Sequence, residues 1–273
     1  MDQLREYLKG HAVDDLVQQA VLDEASRRFI HSAHIVEEEA LKAGLLPARY
    51  QRNRKTLSIE QQLTLFQARV AVIGCGGLGG YVIEGLTRLG IGTIVAVDPD
   101  QFEEHNLNRQ ILCTLETLGY PKTAAAAHRV RQINPAVTLI AVQKAFNNDN
   151  EGEFLKECDA VVDALDSNAA RVELAKICSK HSLPLVHGAI AGWYGQIAVQ
   201  LPGEQTVLNL MQKCKEKTGI EKEIGNPSFA PMVVAGLQTA EVCKIITHRD
   251  RTLSARIIFI DLLNMRFEEM KIE

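Results

Sequence analysis

A chain of 273 residues with 46% hydrophobic side chains can bury a full core, as one large domain or two small ones. Its net charge of -4 and pI near 6.1 offer no broad basic surface, which disfavours sequence-independent binding to nucleic acid. Six cysteines without a CxxC pair, an N-terminus lacking the apolar core of a signal peptide, and no apolar run near the ~20 residues of a membrane span predict a cytoplasmic protein without membrane contact.

In chain order, residues 1 to about 46 place apolar side chains at three-to-four spacing among charges, with Gly44 as a stop and Pro47 as a breaker. This predicts an N-terminal helical extension over 1–50, a small subdomain or dimer arm. His31 and His34 beside Glu37, Glu38 and Glu39 have metal-ligand spacing there, but a solvated helical face is the expected reading. From Leu57 the pattern alternates strands and helices: strands at 68–74, 93–98, 137–143, 160–165 and 184–189, with helices from about Gly79 to Leu89, over 122–133, and from Ser167 to about His181. An antiparallel strand at 195–203, a helix at 237–246 and a terminal hairpin complete the chain. The expected fold is α/β, a Rossmann-like doubly wound mixed sheet, parallel in its first half and antiparallel in its second. No Pro/Gly/Ser-rich linker divides residues 51–273, which are expected to form one catalytic domain.

Gly74-Cys75-Gly76-Gly77-Leu78-Gly79 is a GxGxxG between a strand and a helix, where small residues let backbone N–H groups approach a phosphate. Asp98 ends the next strand, where a carboxylate can accept from ribose hydroxyls. A nucleotide is expected here; the loop alone does not say which.

The segment that follows discriminates. HNLNRQ (105–110), GYPK (119–122) and DALDSN (163–168), together with RYQRN (49–53), occur in the order and with the residues of one family. Over roughly residues 49 to 273 the chain resembles the ThiF/MoeB/HesA family, relatives of the ubiquitin-activating enzymes, in which a comparable loop binds ATP. Asn53 stands where the family has Gln, and Ser167 where it has the second Asn of an Asp-Asn pair. The resemblance implies adenylation: a carboxylate attacks ATP at the α-phosphate and pyrophosphate leaves. Charge growing on the leaving group calls for cationic side chains and a divalent ion. Arg109 and Lys122 would clamp phosphates, with Asn106 a nearby donor. Asp166 would hold Mg²⁺ at the carboxyl end of a strand, flanked by Ser167 and Asn168. Arg52 is implied to reach the ATP site of a partner subunit in a homodimer.

The chain lacks the paired cysteines that hold structural zinc in many members, so no zinc is predicted. It also lacks a cysteine in KEIGNPSFAP, where several members carry a nucleophile. Cys243 and Cys75 read as packing residues; Cys214, in a polar stretch, is the remaining nucleophile candidate. The implied acceptor is the C-terminal carboxylate of a small β-grasp sulfur carrier ending Gly-Gly, like ThiS or MoaD, activated for sulfur transfer in thiamin, molybdopterin or tungstopterin biosynthesis. Segment 204–228 would cover its groove. A peptide or tRNA threonylcarbamoyladenosine acceptor is the alternative. An NAD-dependent oxidoreductase would leave the motifs at 105–122 and 163–168 without a use, and a non-catalytic nucleotide-binding module would have no need of the full set.

Overall fold

The amphipathic spacing of the first fifty residues folds three helices, Asp2–His11 (α1), Gln19–Phe29 (α2) and Ala33–Lys42 (α3), around Leu4, Leu8, Leu22, Val36 and Ala40. The computed structural model describes residues 1–147, 149–213 and 224–272. Beside the helices, Leu16–Val17 (β1) pairs in parallel with Leu46–Pro47 (β2), a contact that helical periodicity does not announce.

The acidic run of α3 corrects the expectation of a solvated face. Glu37 and Glu39 are buried: Glu37 accepts from the Tyr50 hydroxyl at 2.7 Å and pairs with Arg49, while Glu39 pairs with Arg5 at 2.7 Å. His34 stacks on Phe66 with ring centroids 4.7 Å apart, and its Nδ1 lies 2.9 Å from the Ala136 carbonyl. The helix is wedged between its own unit and the domain behind it, so its charges face partners from other segments. Burial pushes the Glu37 carboxyl up, against the pull of Arg49 and Tyr50.

The domain begins with Ile59–Gln67 (α4), missing from the sequence expectation although Ser58 and Gln61 form the capping box that opens it. Strands Arg69–Ile73 (β3) and Thr93–Val97 (β4) flank helix Gly77–Leu89 (α5). Helix Lys122–Ile133 (α6), strand Thr138–Val142 (β5), a short helix Glu151–Leu155 (α7) and strand Ala160–Asp163 (β6) continue the winding. Helix Asn168–Lys180 (α8) leads to Leu185–Ala191 (β7) and Tyr194–Gln200 (β8). Thr206–Lys213 (α9), Phe229–Ile246 (α10), Arg256–Asp261 (β9) and Arg266–Lys271 (β10) complete the described chain.

The eight strands run β10-β9-β8-β7-β6-β3-β4-β5. From β5 to β7 every pair is parallel, and from β7 to β10 every pair is antiparallel, the mixed sheet that the alternation predicts. β3 has β4 on one side and β6 on the other, so connections leave it in opposite directions and a crevice opens at its carboxyl end. β8 stops at Gln200 rather than reaching Gly203, whose φ of +88° belongs to a turn. α10 starts eight residues before its predicted beginning at Leu237, because Pro231 falls in the first turn, where no backbone donor is required of it. By length and composition, α10 is the one described helix able to cross a membrane; here Ala230, Val234 and Val242 are buried as it packs on α5, β7 and β8.

Candidate active site

The glycine loop closes the crevice because two of its residues, Gly74 and Gly79, have no room for a side chain. Gly74 has φ +98°, and a Cβ there would lie 2.6 Å from the Ala164 carbonyl oxygen; a Cβ on Gly79 would overlap Gly74 O. β3 and β6 therefore meet backbone to backbone at their carboxyl ends, and α5 opens with its free N–H groups over this junction. Gly76 faces the Gln110 side-chain amide, 3.6 Å from where a Cβ would stand. Around Gly77 lie Arg109 Cγ at 3.9 Å, Pro231 at 3.8 Å and Ile190 at 4.0 Å.

Asp98 is buried at the end of β4, and both its oxygens serve backbone donors: Cys75 N at 2.6 Å and Asp100 N at 2.8 Å. It thus pins the glycine loop to the strand end. Each oxygen keeps a second lone pair for a ribose hydroxyl. Burial raises its carboxyl above the usual aspartate range, opposed by the Cys75 N–H and by Lys122. Lys122, nearly buried at the start of α6, donates to Asp100 Oδ2 at 3.0 Å. Asp100 is largely exposed, so this bond is weak and the ammonium can exchange it for a phosphate oxygen.

Arg109 lies along the loop, with Nη1 donating at 2.9 Å to His105 O and to Asn108 Oδ1. Asn106 is buried beneath it, its Oδ1 accepting from Glu103 N at 3.0 Å to hold the turn. Asn108 donates to Asn226 O at 3.1 Å, bringing the chain before α10 back to this corner.

On the opposite lip, Asp166 and Ser167 are exposed and Asn168 half-buried. The cap of α8 is Ser167, whose Oγ accepts from Ala170 N at 3.2 Å, which leaves the Asp166 carboxylate out of that role. Asp166 is a hard oxygen donor beside an anion cradle. Mg²⁺ is ordinarily held by one or two carboxylates together with substrate phosphates, so this residue fits the ion expected there.

Three residues with no assigned role in the motifs also converge here. Gln110 is buried beside Gly76 with its Nε2 the nearer amide atom, and its Oε1 has no hydrogen-bond partner among the described residues. Arg171 donates through Nε and Nη2 to Leu165 O at 3.1 and 2.7 Å and through Nη1 to Asn168 Oδ1 at 3.0 Å. His187, fully buried on β7, meets Asp163. Gln110 and Arg171 were signalled by their places in HNLNRQ and in the first turn after DALDSN; His187 is signalled only as a polar residue in an otherwise apolar strand.

Arg52 is the one predicted site residue that the structure keeps apart. It is exposed in the 3-10 turn Ala48–Asn53, whose Tyr50 packs against Gly90 at the far end of α5 from the glycine loop. A 13-residue helix is ~20 Å long, so Arg52 does not join this crevice within one chain. Burial raises the thiols of Cys75 and Cys243, which keeps both protonated at neutral pH. Cys214 lies outside the described residues, as does most of the proposed cover after Lys213.

Residues 50–273 match the model of the ThiF family. A SAMP-activating enzyme E1 of Haloferax volcanii is 34% identical over 77% of this chain and 78% of its own length. A sulfur carrier protein adenylyltransferase of Thermus thermophilus is 33% identical over 78% of this chain and 82% of its own. Among solved structures, Escherichia coli MccB with ATP superposes with a TM-score of 0.71 at 22% identity, covering 92% of this chain and 82% of that one, a likeness of fold.

Proposed function

The chain belongs to the ThiF family, and from that premise we propose that it is an adenylyltransferase acting with ATP on the C-terminal glycine carboxylate of a small β-grasp sulfur carrier. The observation that carries the reading is the meeting, in one crevice, of the Gly74–Gly79 cradle, the Arg109 side chain and the 164–168 loop with its exposed carboxylate. A hydride-transfer enzyme would need none of the last two.

In this reading the loop N–H groups and the α5 terminus bind the triphosphate, and Asp98 accepts from the ribose. Arg109 and Lys122 neutralise charge that grows on the departing pyrophosphate, a contribution realised in the transition state. Asp166 would hold Mg²⁺, which supplies further charge neutralisation along the phosphates. The carrier's tail enters from the antiparallel side, where Tyr194, Phe259 and Met270 stand exposed on one face. Arg52, remote from its own crevice, serves the site of the partner in a homodimer. A sulfide-level nucleophile from a separate donor then attacks the acyl-adenylate carbonyl, forming a C–S bond as AMP leaves, to give a thiocarboxylate for cofactor biosynthesis in the cytoplasm, with no cysteine of this chain forming a thioester.

A second reading keeps the chemistry and replaces the carrier by a peptide. It is favoured by the N-terminal unit, which the ThiF match leaves out and which the 92% superposition on the MccB fold partly includes. ATP–pyrophosphate exchange decides between them. Exchange that requires an intact Gly-Gly carrier tail supports the carrier, exchange with a peptide alone supports the second reading, and no exchange with either removes adenylation.

A further inference from the structure

Asp163 and His187 are both fully buried, with Nδ1 and Oδ2 2.7 Å apart. On the far side of the ring, Gln196 Nε2 lies 3.0 Å from His187 Nε2. An amide nitrogen only donates, so Nε2 accepts and the ring proton sits on Nδ1, directed at Asp163. The other oxygen of Asp163 accepts from Leu165 N at 3.0 Å, and its backbone carbonyl accepts from Gln238 Nε2 at 2.8 Å. Leu165 immediately precedes Asp166, and its carbonyl is the one gripped by Arg171. The peptide group on each side of Leu165 is thus held by a charged side chain from another element.

Polar groups so placed are poorly explained by stability, because apolar residues of the same size commonly serve a buried site as well. Their bonds converge instead on the residue before Asp166. We propose that His187 is a positioning residue: its Nδ1–H orients Asp163, and Asp163 sets, through the Leu165 N–H, where the Asp166 carboxylate stands against the glycine loop. Gln196 holds the ring in the required tautomer. It does so from the sheet face that also carries Phe259, where the acceptor tail is placed above. The inference rests on the adenylation reading and adds to it a residue that touches neither nucleotide nor acceptor.

The test measures ATP binding by calorimetry, with and without Mg²⁺ and without acceptor, in wild type and in His187→Asn, His187→Gln and His187→Ala, with the thermal midpoint recorded for each. Asn places an amide donor near the Nδ1 position, and Gln places it near Nε2. Loss of outer support for a metal-ligating carboxylate costs about 10- to 100-fold in affinity, the loss expected of His187→Gln and His187→Ala in the presence of Mg²⁺. His187→Asn should bind as wild type does, and Mg²⁺-free binding should not move in any variant. Wild-type Mg²⁺-dependent affinity in His187→Gln, or an equal loss in His187→Asn, overturns the proposal. Should the His187 variants fail to fold, half-buried Gln196→Leu decides: a smaller Mg²⁺-dependent loss supports the proposal and unchanged binding overturns it. A wild-type chain that does not bind Mg²⁺ with ATP removes the adenylation reading itself, whereas normal wild-type binding with the wrong order among variants removes this inference alone.

Discussion

The two halves of the sheet are built on different terms. In the parallel half, β3 and β6 are almost wholly buried, and backbone touches backbone at Gly74, Gly79 and Ala164. In the antiparallel half, every residue of β10 is exposed, and Tyr194, Phe259, Phe267 and Met270 present apolar side chains to solvent. The first half holds its shape by leaving no room, and so suits a small charged ligand of fixed dimensions. The second leaves apolar area uncovered, as a surface that meets a macromolecule does.

Substitutions can sharpen this contrast or break it. The largest effect is expected from Gly79→Ala, which drives a methyl into Gly74 O: ATP binding lost in calorimetry and stability lowered by about 3 kcal/mol in denaturant titration. Next, Arg109→Ala and Asp166→Asn should each lower pyrophosphate exchange by about 100- to 1000-fold while the thermal midpoint hardly changes, since both residues sit at the crevice surface. Mixing Arg52→Ala with Asp166→Asn subunits should restore exchange through one intact site per heterodimer; no recovery would show that Arg52 acts elsewhere. In the antiparallel half, Phe259→Ser with Met270→Ser, both on the face assigned to the acceptor, should raise the KM for the acceptor about tenfold and leave ATP affinity alone. A change in ATP affinity would mean that the halves are not separate.

The smallest effect concerns neither half's ligand. Burial works to raise the Glu84 carboxyl, but bonds from Arg129 and Arg88 outweigh it and hold the group below its ordinary range. A carboxyl depressed in the folded state stabilises above its unfolded pKa of about 4.3, and that contribution is lost as pH falls through the folded value. The gap in thermal midpoint between wild type and Glu84→Gln should therefore hold from neutral pH to about 5 and close in more acid solution.

The same contrast governs what could be read from the sequence. Glycines forced by a close approach and uninterrupted apolar runs are local requirements, so the cradle and the strand alternation were legible; Arg109, Lys122 and Asp166 were singled out only by the order of the family motifs, and their roles belong to the proposal. Glu37 was not: its partners Arg49 and Tyr50 lie in another turn of the chain, and a run of glutamates on a helix reads as solvated until they are in place. His187 was missed because its meaning depends on Asp163, 24 residues earlier on a neighbouring strand. Arg52 was placed by resemblance alone, and only the length of α5 shows that it cannot serve the crevice of its own chain.

Among the described residues, β10 closes one side of the sheet without a neighbour, and an unpaired strand edge is an open invitation to any other extended chain. Arg266, Glu268, Glu269 and Lys271 make four of its six side chains charged, with Phe267 and Met270 between them and Glu269 tied to Arg256 at 2.9 Å. Such an edge repels indiscriminate pairing, including with its own copies in fibrils, and admits only a strand whose charges answer it in register.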